Sequence, residues 1–379
     1  MHVLVTADTV GGVWTYTREL VSGLIYRGHR VTLVSFGKLP RRDQLLWMET
    51  LPSENLEYLP TEFPLEWMQD SEAQIKESQR YLERLVCKMQ PDLLHLNQFC
   101  YGTLPCAIPK IVVAHSDVLS WWQSVHGGAP PQTPWLEWYS QTLSDGLHGA
   151  DVVVAPSQWM LDRITELYGI TRGKVIGNGR TPALFNPSAG KNNQVLSVGR
   201  IWDEAKQTSL LLSRQQAAPV QIVGSQHSPE KIAGSVVISG SADVQVSESQ
   251  SELALVTLFA NASIYVASSR YEPFGLAPVE AALSRCALIV NDIETFHELW
   301  GDSALYFERN NADALAAAIR MLALDHHLRE IYADRAYRHA RRQFNSARMI
   351  DQYENLYREL RQESACERKN AYKPEETAA

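Results

Sequence analysis

Glu272 and Glu280 stand with seven residues between them, bracketing Pro273-Phe274-Gly275-Leu276. Two acids at that spacing around a loop-to-helix junction suit one kind of chemistry. A helix N-terminus presents unpaired N–H groups and a partial positive charge, which favour a phosphate. Carboxylates beside a bound phosphate would repel it, so they must point at hydroxyls instead. A phosphate flanked by two hydroxyl-binding acids fits a sugar joined to a nucleotide, with one acid for the transferred sugar and the other for ribose. An ordinary strand–helix junction with two solvent-facing acids fits the same residues.

The elements needed to position these acids are legible. Ser263 to Ala267 is a short apolar, β-branched run of the buried-strand type, and Val279 to Leu283 reads as helix. Pro278 places the helix start, and Gly275 falls where backbone must approach something closely. Upstream, Gln194 to Arg200 is a strand that delivers an arginine, with Lys206 soon after it. Two cations converging there suit a diphosphate leaving group, because negative charge develops on it as a glycosidic bond breaks. As an isolated pair they also fit two exposed surface cations. Val220 to Ser225 is a further strand and glycine turn, and Val256 to Ala262 a helix.

The first half repeats the logic. Val3 to Ala7 is a strand, Gly11-Gly12 a loop, and Tyr16, Leu20 and Leu24 share a helix face that Gly28 ends. Arg30 to Ser35 is the next strand, so a βαβ unit opens a doubly wound sheet. Gly11-Gly12 is not a G-x-G-x-x-G fingerprint and reads as a tight turn. Residues 39–71 are an irregular excursion, followed by a helix from about Ser71 to Met89. The strand Asp92 to Asn97 carries His95 and Asn97 near its carboxyl end, and Lys110 to Val113 delivers His115 to the same edge. Open α/β sheets bind ligands at that edge, although a histidine satisfied by a neighbouring carbonyl fits as well. Eight of ten tryptophans precede residue 160, and Asp117, Trp121 and Trp122 are candidates for an acceptor pocket.

Composition narrows the class. A 379-residue chain can build two cores, and a net charge of −8 argues against nucleic-acid binding. No apolar run approaches the roughly 18 residues of a membrane span, and the first residues read as a strand rather than a leader. Five scattered cysteines without a C-x-x-C pair point to reduced thiols and a cytoplasmic setting. No metal motif is present, so neither a metal nor another cofactor is expected.

Glu272-Pro273-Phe274-Gly275 followed by Glu280-Ala281 resembles the E-x7-E signature of the retaining family 4 glycosyltransferases. The resemblance implies the GT-B fold: two Rossmann-like, doubly wound α/β domains facing a cleft, with a C-terminal helix crossing back to the first. The corresponding divisions are an acceptor-side domain over 1–180, a linker over 181–193 and a donor domain over 194–345. A crossover helix over 346–363 follows, and the polar composition of 364–379, with Lys, Glu and Pro, reads as a disordered tail. In such enzymes the first acid contacts the donor sugar and the second the ribose, which places those roles on Glu272 and Glu280. Arg200 and Lys206 then hold the diphosphate, helped by backbone near Phe274, Gly275 and Leu276. By the same resemblance the Gly11-Gly12 loop lies beside the acceptor and the donor phosphate, and His115 lies close to the transferred sugar.

The implied reaction moves a sugar from a nucleotide diphosphate donor to a hydroxyl acceptor, with UDP favoured as the nucleotide and GDP second. Lys174 to Arg180 is similar to the family's V-I-P-N-G-V end of the first domain, with Gly177 and Arg180 in place of Pro and Val. Arg285 stands where glycine is common. It either avoids the left-handed conformation or adopts it at a cost of about 1 kcal/mol. A nucleotide-sugar epimerase and a silent nucleotide-sugar-binding partner are the rival readings.

Overall fold

A computed structural model describes residues 1–228, 240 and 243–371. Seven strands form the first sheet: β1 (His2–Asp8), β2 (Arg30–Phe36), β3 (Leu56–Pro60), β4 (Leu93–Leu96), β5 (Lys110–Val113), β6 (Val152–Ala155) and β7 (Gly173–Val175). All pair in parallel, in the order β3-β2-β1-β4-β5-β6-β7. The second sheet holds β8 (Asn192–Val198), β9 (Val220–Val223), β10 (Val244–Ser247), β11 (Ala262–Ala267), β12 (Ala287–Asn291) and β13 (Leu305–Phe307). These are also parallel, in the order β10-β9-β8-β11-β12-β13.

Parallel sheets carry helices on both faces, so their strands are buried throughout and read as unbroken apolar runs. β1 shows this directly, with Val3, Val5 and Ala7 in one core layer and Leu4 in the layer behind the sheet. Strand order reverses beside β1 and β4 in the first sheet and beside β8 and β11 in the second. Crevices open at the carboxyl ends of such strands. The Gly11-Gly12 loop and His115 belong to the first crevice edge; Arg200, Lys206 and Glu272 belong to the second.

The helix Gly12–Tyr26 buries Tyr16, Leu20 and Leu24, the face expected from their spacing. The helix Glu72–Met89 ends at Gln90 in left-handed conformation. The excursion over 39–71 contains more order than the sequence suggests. It holds a short helix Arg42–Leu45, two 3-10 turns and the edge strand β3, a half-buried run ending in proline. Arg285 does adopt the left-handed region, at φ 62°, and its guanidinium pairs with Asp334 at 2.6 Å.

The last helix, Ser346–Ala371, returns to the first sheet. Met349, Ile350, Tyr353, Leu356, Tyr357 and Leu360 enter the core layer formed by β1 and the helix Gly12–Tyr26. Helical backbone therefore continues to Ala371 through residues expected to be disordered from 364 on. The rest of that expected tail, 372–379, lies outside the described residues. Among the described residues no helix is long and apolar enough to cross a membrane.

Two chain crossings link the domains, and they are joined to each other. Arg180 and Asn345 form an isolated parallel β-bridge, through Arg180 N–H to Phe344 O at 2.9 Å and Ser346 N–H to Arg180 O at 3.0 Å.

Candidate active site

The loop after β11 crosses to the first domain. Tyr271 Oη lies 3.0 Å from Ser116 Oγ and 2.9 Å from Ser120 Oγ, and Ser157 Oγ donates to Pro273 O at 2.7 Å. Glu298 accepts from Gln158 N–H and Trp159 N–H at 2.6 and 2.8 Å, so an acid of the second domain caps a helix of the first. These contacts hold the Glu272 loop against the facing crevice.

At the end of that loop, Gly275 has φ 85° and precedes the helix Leu276–Leu283. A Cβ there would sit 3.0 Å from Glu272 Cγ, so glycine serves both the turn and the packing beside the acid. Pro278 is the third residue of the helix, inside the first turn that tolerates proline. Phe274 is buried edge-on to Phe344, and Leu276 reaches the first domain: a Cβ on Gly12 would lie 3.6 Å from Leu276 Cδ1. A Cβ on Gly11 would likewise lie 3.6 Å from Arg200 Nη1. The glycine loop of the first domain thus faces the arginine of the second at contact distance.

Lys206 Nζ donates to Glu272 Oε2 at 2.5 Å, and Ser269 Oγ donates to the same oxygen at 2.8 Å. The lysine and acid side chains are 18% and 12% exposed, enough to meet a ligand yet largely shielded from water. Arg200 Nη2 donates to Asp203 Oδ2 at 2.6 Å. Burial opposes ionisation of Asp203, but Arg200 and Lys206 hold its carboxyl below the ordinary range.

Across the cleft, His115 Nε2 lies 2.8 Å from Asn97 Oδ1, while Asn97 Nδ2 donates to Thr6 O at 2.6 Å. Asn97 therefore offers His115 an oxygen, so Nε2 carries the hydrogen and Nδ1 keeps a lone pair. Burial depresses the His115 pKa to about 3, which keeps the ring neutral. His95, by contrast, is wholly enclosed between Tyr16 Oη at 3.1 Å and Tyr357 Oη at 2.8 Å. It ties the last helix to the first sheet and takes no part in the cleft.

The acceptor candidates fare differently. Asp117 is 3% exposed, and both of its carboxylate oxygens are engaged, one by Ser120 N–H at 2.7 Å and the other by Tyr168 Oη at 3.2 Å. It caps the helix Val118–His126 and belongs to the scaffold. Trp121 Nε1 donates across the domain boundary to Asp203 at 3.1 Å, so it braces the carboxylate that holds Arg200. Trp122 packs on His126 with ring centroids 4.2 Å apart.

Sequence reasoning passed over a pair of buried carboxyls and one buried arginine. Asp8, at the carboxyl end of β1, accepts from Val10 N–H at 2.6 Å and feels the charge of Arg200. Glu66 accepts from Phe99 N–H at 2.9 Å and from the Cys100 thiol at 3.0 Å. Burial pushes both carboxyls up to about 7. A raised folded-state pKa favours the fold below the unfolded value, near pH 4, and that contribution is lost as pH rises through about 7. Relative to the wild type, Glu66→Gln should therefore shift the slope of melting temperature against pH upward between pH 5 and 7. Parallel melting curves for the two proteins would show that Glu66 is already ionised in the fold. The opposite slope comes from His95 and His115, both depressed to about 3, whose contribution is lost as pH drops below the unfolded value of 6.5.

The other missed feature is Arg180. Its Nη1 meets Glu19 Oε1, Nη2 lies 2.7 Å from Glu252 Oε1, and Nε lies 2.8 Å from Glu280 Oε1. The sole sequence signal was a charge standing where the resemblance expects valine.

Comparison with known proteins agrees with this architecture. The family profile for Glycosyltransferase Family 4 matches residues 10–183, and that for Glycosyl transferases group 1 matches 185–339. Alpha-maltose-1-phosphate synthase of Mycolicibacterium smegmatis is 24% identical over 306 residues, 70% of this chain and 76% of that protein. Among solved structures, sucrose-phosphate synthase of Thermosynechococcus elongatus superposes with a TM-score of 0.77 at 18% identity, over 95% of this chain and 99% of that one. Anabaena HepE in complex with UDP-glucose gives a TM-score of 0.69 at 16% identity, over 94% and 99% of the two chains. The two profiles together span both domains and meet at the linker, and the chain belongs to the family 4 glycosyltransferases of the GT-B fold, enzymes that use nucleotide sugars.

Proposed function

We propose that the chain is a retaining glycosyltransferase that moves a sugar from a UDP-sugar to a hydroxyl of a glycan, a lipid-linked saccharide or a small molecule. The observation that carries this reading is the pair Lys206–Glu272, joined at 2.5 Å beside an arginine that faces the Gly11 loop. An acid and two cations at one crevice edge support a sugar diphosphate as the ligand.

In this reading the bond from the anomeric carbon to the diphosphate oxygen breaks, and the acceptor oxygen bonds to that carbon from the same face. The departing phosphate oxygen takes the acceptor's proton. Arg200 and Lys206 stabilise the charge that collects on the diphosphate, and backbone N–H groups from Phe274 to Leu276 add to it. Glu272 orients the sugar hydroxyls, and neutral His115 accepts a sugar hydroxyl hydrogen at Nδ1. Glu280 takes the ribose. Its carboxylate pairs with Arg180 yet receives no aligned hydrogen bond from any described residue, which leaves its acceptor capacity for hydroxyls. UDP is placed ahead of GDP, in keeping with the UDP and UDP-glucose bound by HepE.

Thermal melting with about 1 mM UDP or GDP, in buffer containing EDTA, tests the donor site. A ligand present at about a hundred times its dissociation constant adds roughly 2.7 kcal/mol to stability. UDP should raise the melting temperature, and Glu280→Ala should remove the shift. EDTA should not matter, because the cations are Arg200 and Lys206. No shift with either nucleotide would overturn the donor-site assignment.

A further inference from the structure

Arg180 is 1% exposed, and a buried guanidinium must be paired to persist. Its three nitrogens meet three carboxylates drawn from both domains: Glu19 on the helix Gly12–Tyr26, Glu252 at the start of the helix Glu252–Asn261, and Glu280 beside the cleft. Arg18 closes the cluster by contacting Glu19 at 3.5 Å and Glu252. Thr181 Oγ1 donates to the second Glu19 oxygen at 2.6 Å, which fixes that acid from the linker side. The Arg180 backbone is itself clamped by the bridge to Asn345, so the side chain projects from the point where the two domain crossings join.

The contact with Glu280 differs from the other two. The Nε–Oε1 separation is 2.8 Å, but the N–H is not aligned with the oxygen, so charge is neutralised while the lone pairs stay open. Burial raises the Glu280 pKa and Arg180 pulls against it, with Glu252 and Glu19 raising it and Arg18 lowering it further. Without Arg180 two enclosed acids, Glu19 and Glu280, and the more exposed Glu252 would face one arginine, and their mutual repulsion would turn Glu280 away.

We propose that Arg180 is a positioning residue for the nucleotide: it holds the Glu280 side chain aimed at the ribose hydroxyls, and its grip on Glu19 makes that pose depend on the closed arrangement of the two domains. The inference rests on the ribose reading of Glu280. It assigns a role to the residue at which this chain departs from the valine the resemblance expects.

The test compares dissociation constants for UDP and 2′,3′-dideoxy-UDP by titration calorimetry on the full chain. The wild-type protein should prefer UDP by about tenfold to a hundredfold, the span of one or two hydrogen bonds to a charged group. Arg180→Met should reduce that preference to about threefold or less, with affinity for the dideoxy nucleotide nearly unchanged, and Arg180→Lys should restore part of it. A loss of general stability would weaken both nucleotides alike and leave their ratio intact. If Arg180→Met fails to fold, Glu19→Gln supplies the reading, because it loosens the first-domain grip on Arg180 and should lower the ratio at least threefold. No preference in the wild-type protein overturns the ribose role of Glu280. A wild-type preference that persists in Arg180→Met, or in Glu19→Gln where the former does not fold, overturns the role of Arg180 alone.

Discussion

Replacing Lys206 with alanine lowers kcat by about tenfold to a thousandfold, the loss expected when one donor to a developing negative charge is removed. The ammonium lies 2.5 Å from Glu272, and its stem runs past Gly199, where an added Cβ would lie 3.5 Å from Lys206 Cδ. On the proposed roles, the substitution removes the charge that meets the departing diphosphate and frees the acid that orients the sugar. Because both effects grow as the bond breaks, kcat should fall more than the affinity for UDP. Lys206→Arg should recover part of the rate, since charge is kept but the planar fork changes its geometry toward Glu272. Steady-state turnover of the donor, with UDP affinity measured in parallel, reads both quantities. Unchanged kcat in the alanine variant would remove Lys206 from the reaction.

The second large effect falls on stability. A chain ending at Asn345 loses Met349, Ile350, Tyr353, Leu356, Tyr357 and Leu360, all enclosed in the core layer over β1. Each such side chain contributes about 1.5–3 kcal/mol on burial. Six of them match or exceed the net stability of an ordinary domain, about 5–15 kcal/mol. The cut would also expose His95, which loses Tyr357 as a partner. The truncated chain should keep a cooperative transition for the second sheet and show none for the first. Calorimetry with limited proteolysis would distinguish the two, and two intact transitions would show that the helix merely docks.

Much of this fold is legible because parallel strands are enclosed on both faces. Val152–Ala155, Lys110–Val113 and Ala262–Ala267 announce themselves as apolar runs, and the loops at their carboxyl ends then place His115 and Glu272. The edge strands do not. Leu56–Pro60 and Val244–Ser247 are exposed along one side, so they need less apolar character and carry less signal. Asp117 misleads for a different reason: an acid after a strand and an acid capping the next helix look alike in sequence. Arg180 is illegible because its Glu19 and Glu252 partners lie 161 and 72 positions away, and nothing local marks a charge as buried.

The order of synthesis gives the last helix a further consequence. The strands of the first sheet, β1 to β7, emerge from the ribosome first, yet Tyr353, Leu356 and Tyr357 of their core emerge only after the whole second sheet. Until then the layer over β1 has an open apolar face that a nascent chain must keep from other surfaces. Among the described residues, the core layers of the second sheet draw on one consecutive stretch of chain, Phe185 to Phe344, all of it made before the last helix. The domain made first is thus the one completed last, and a pause in translation before Ser346 should lengthen the time it depends on chaperones.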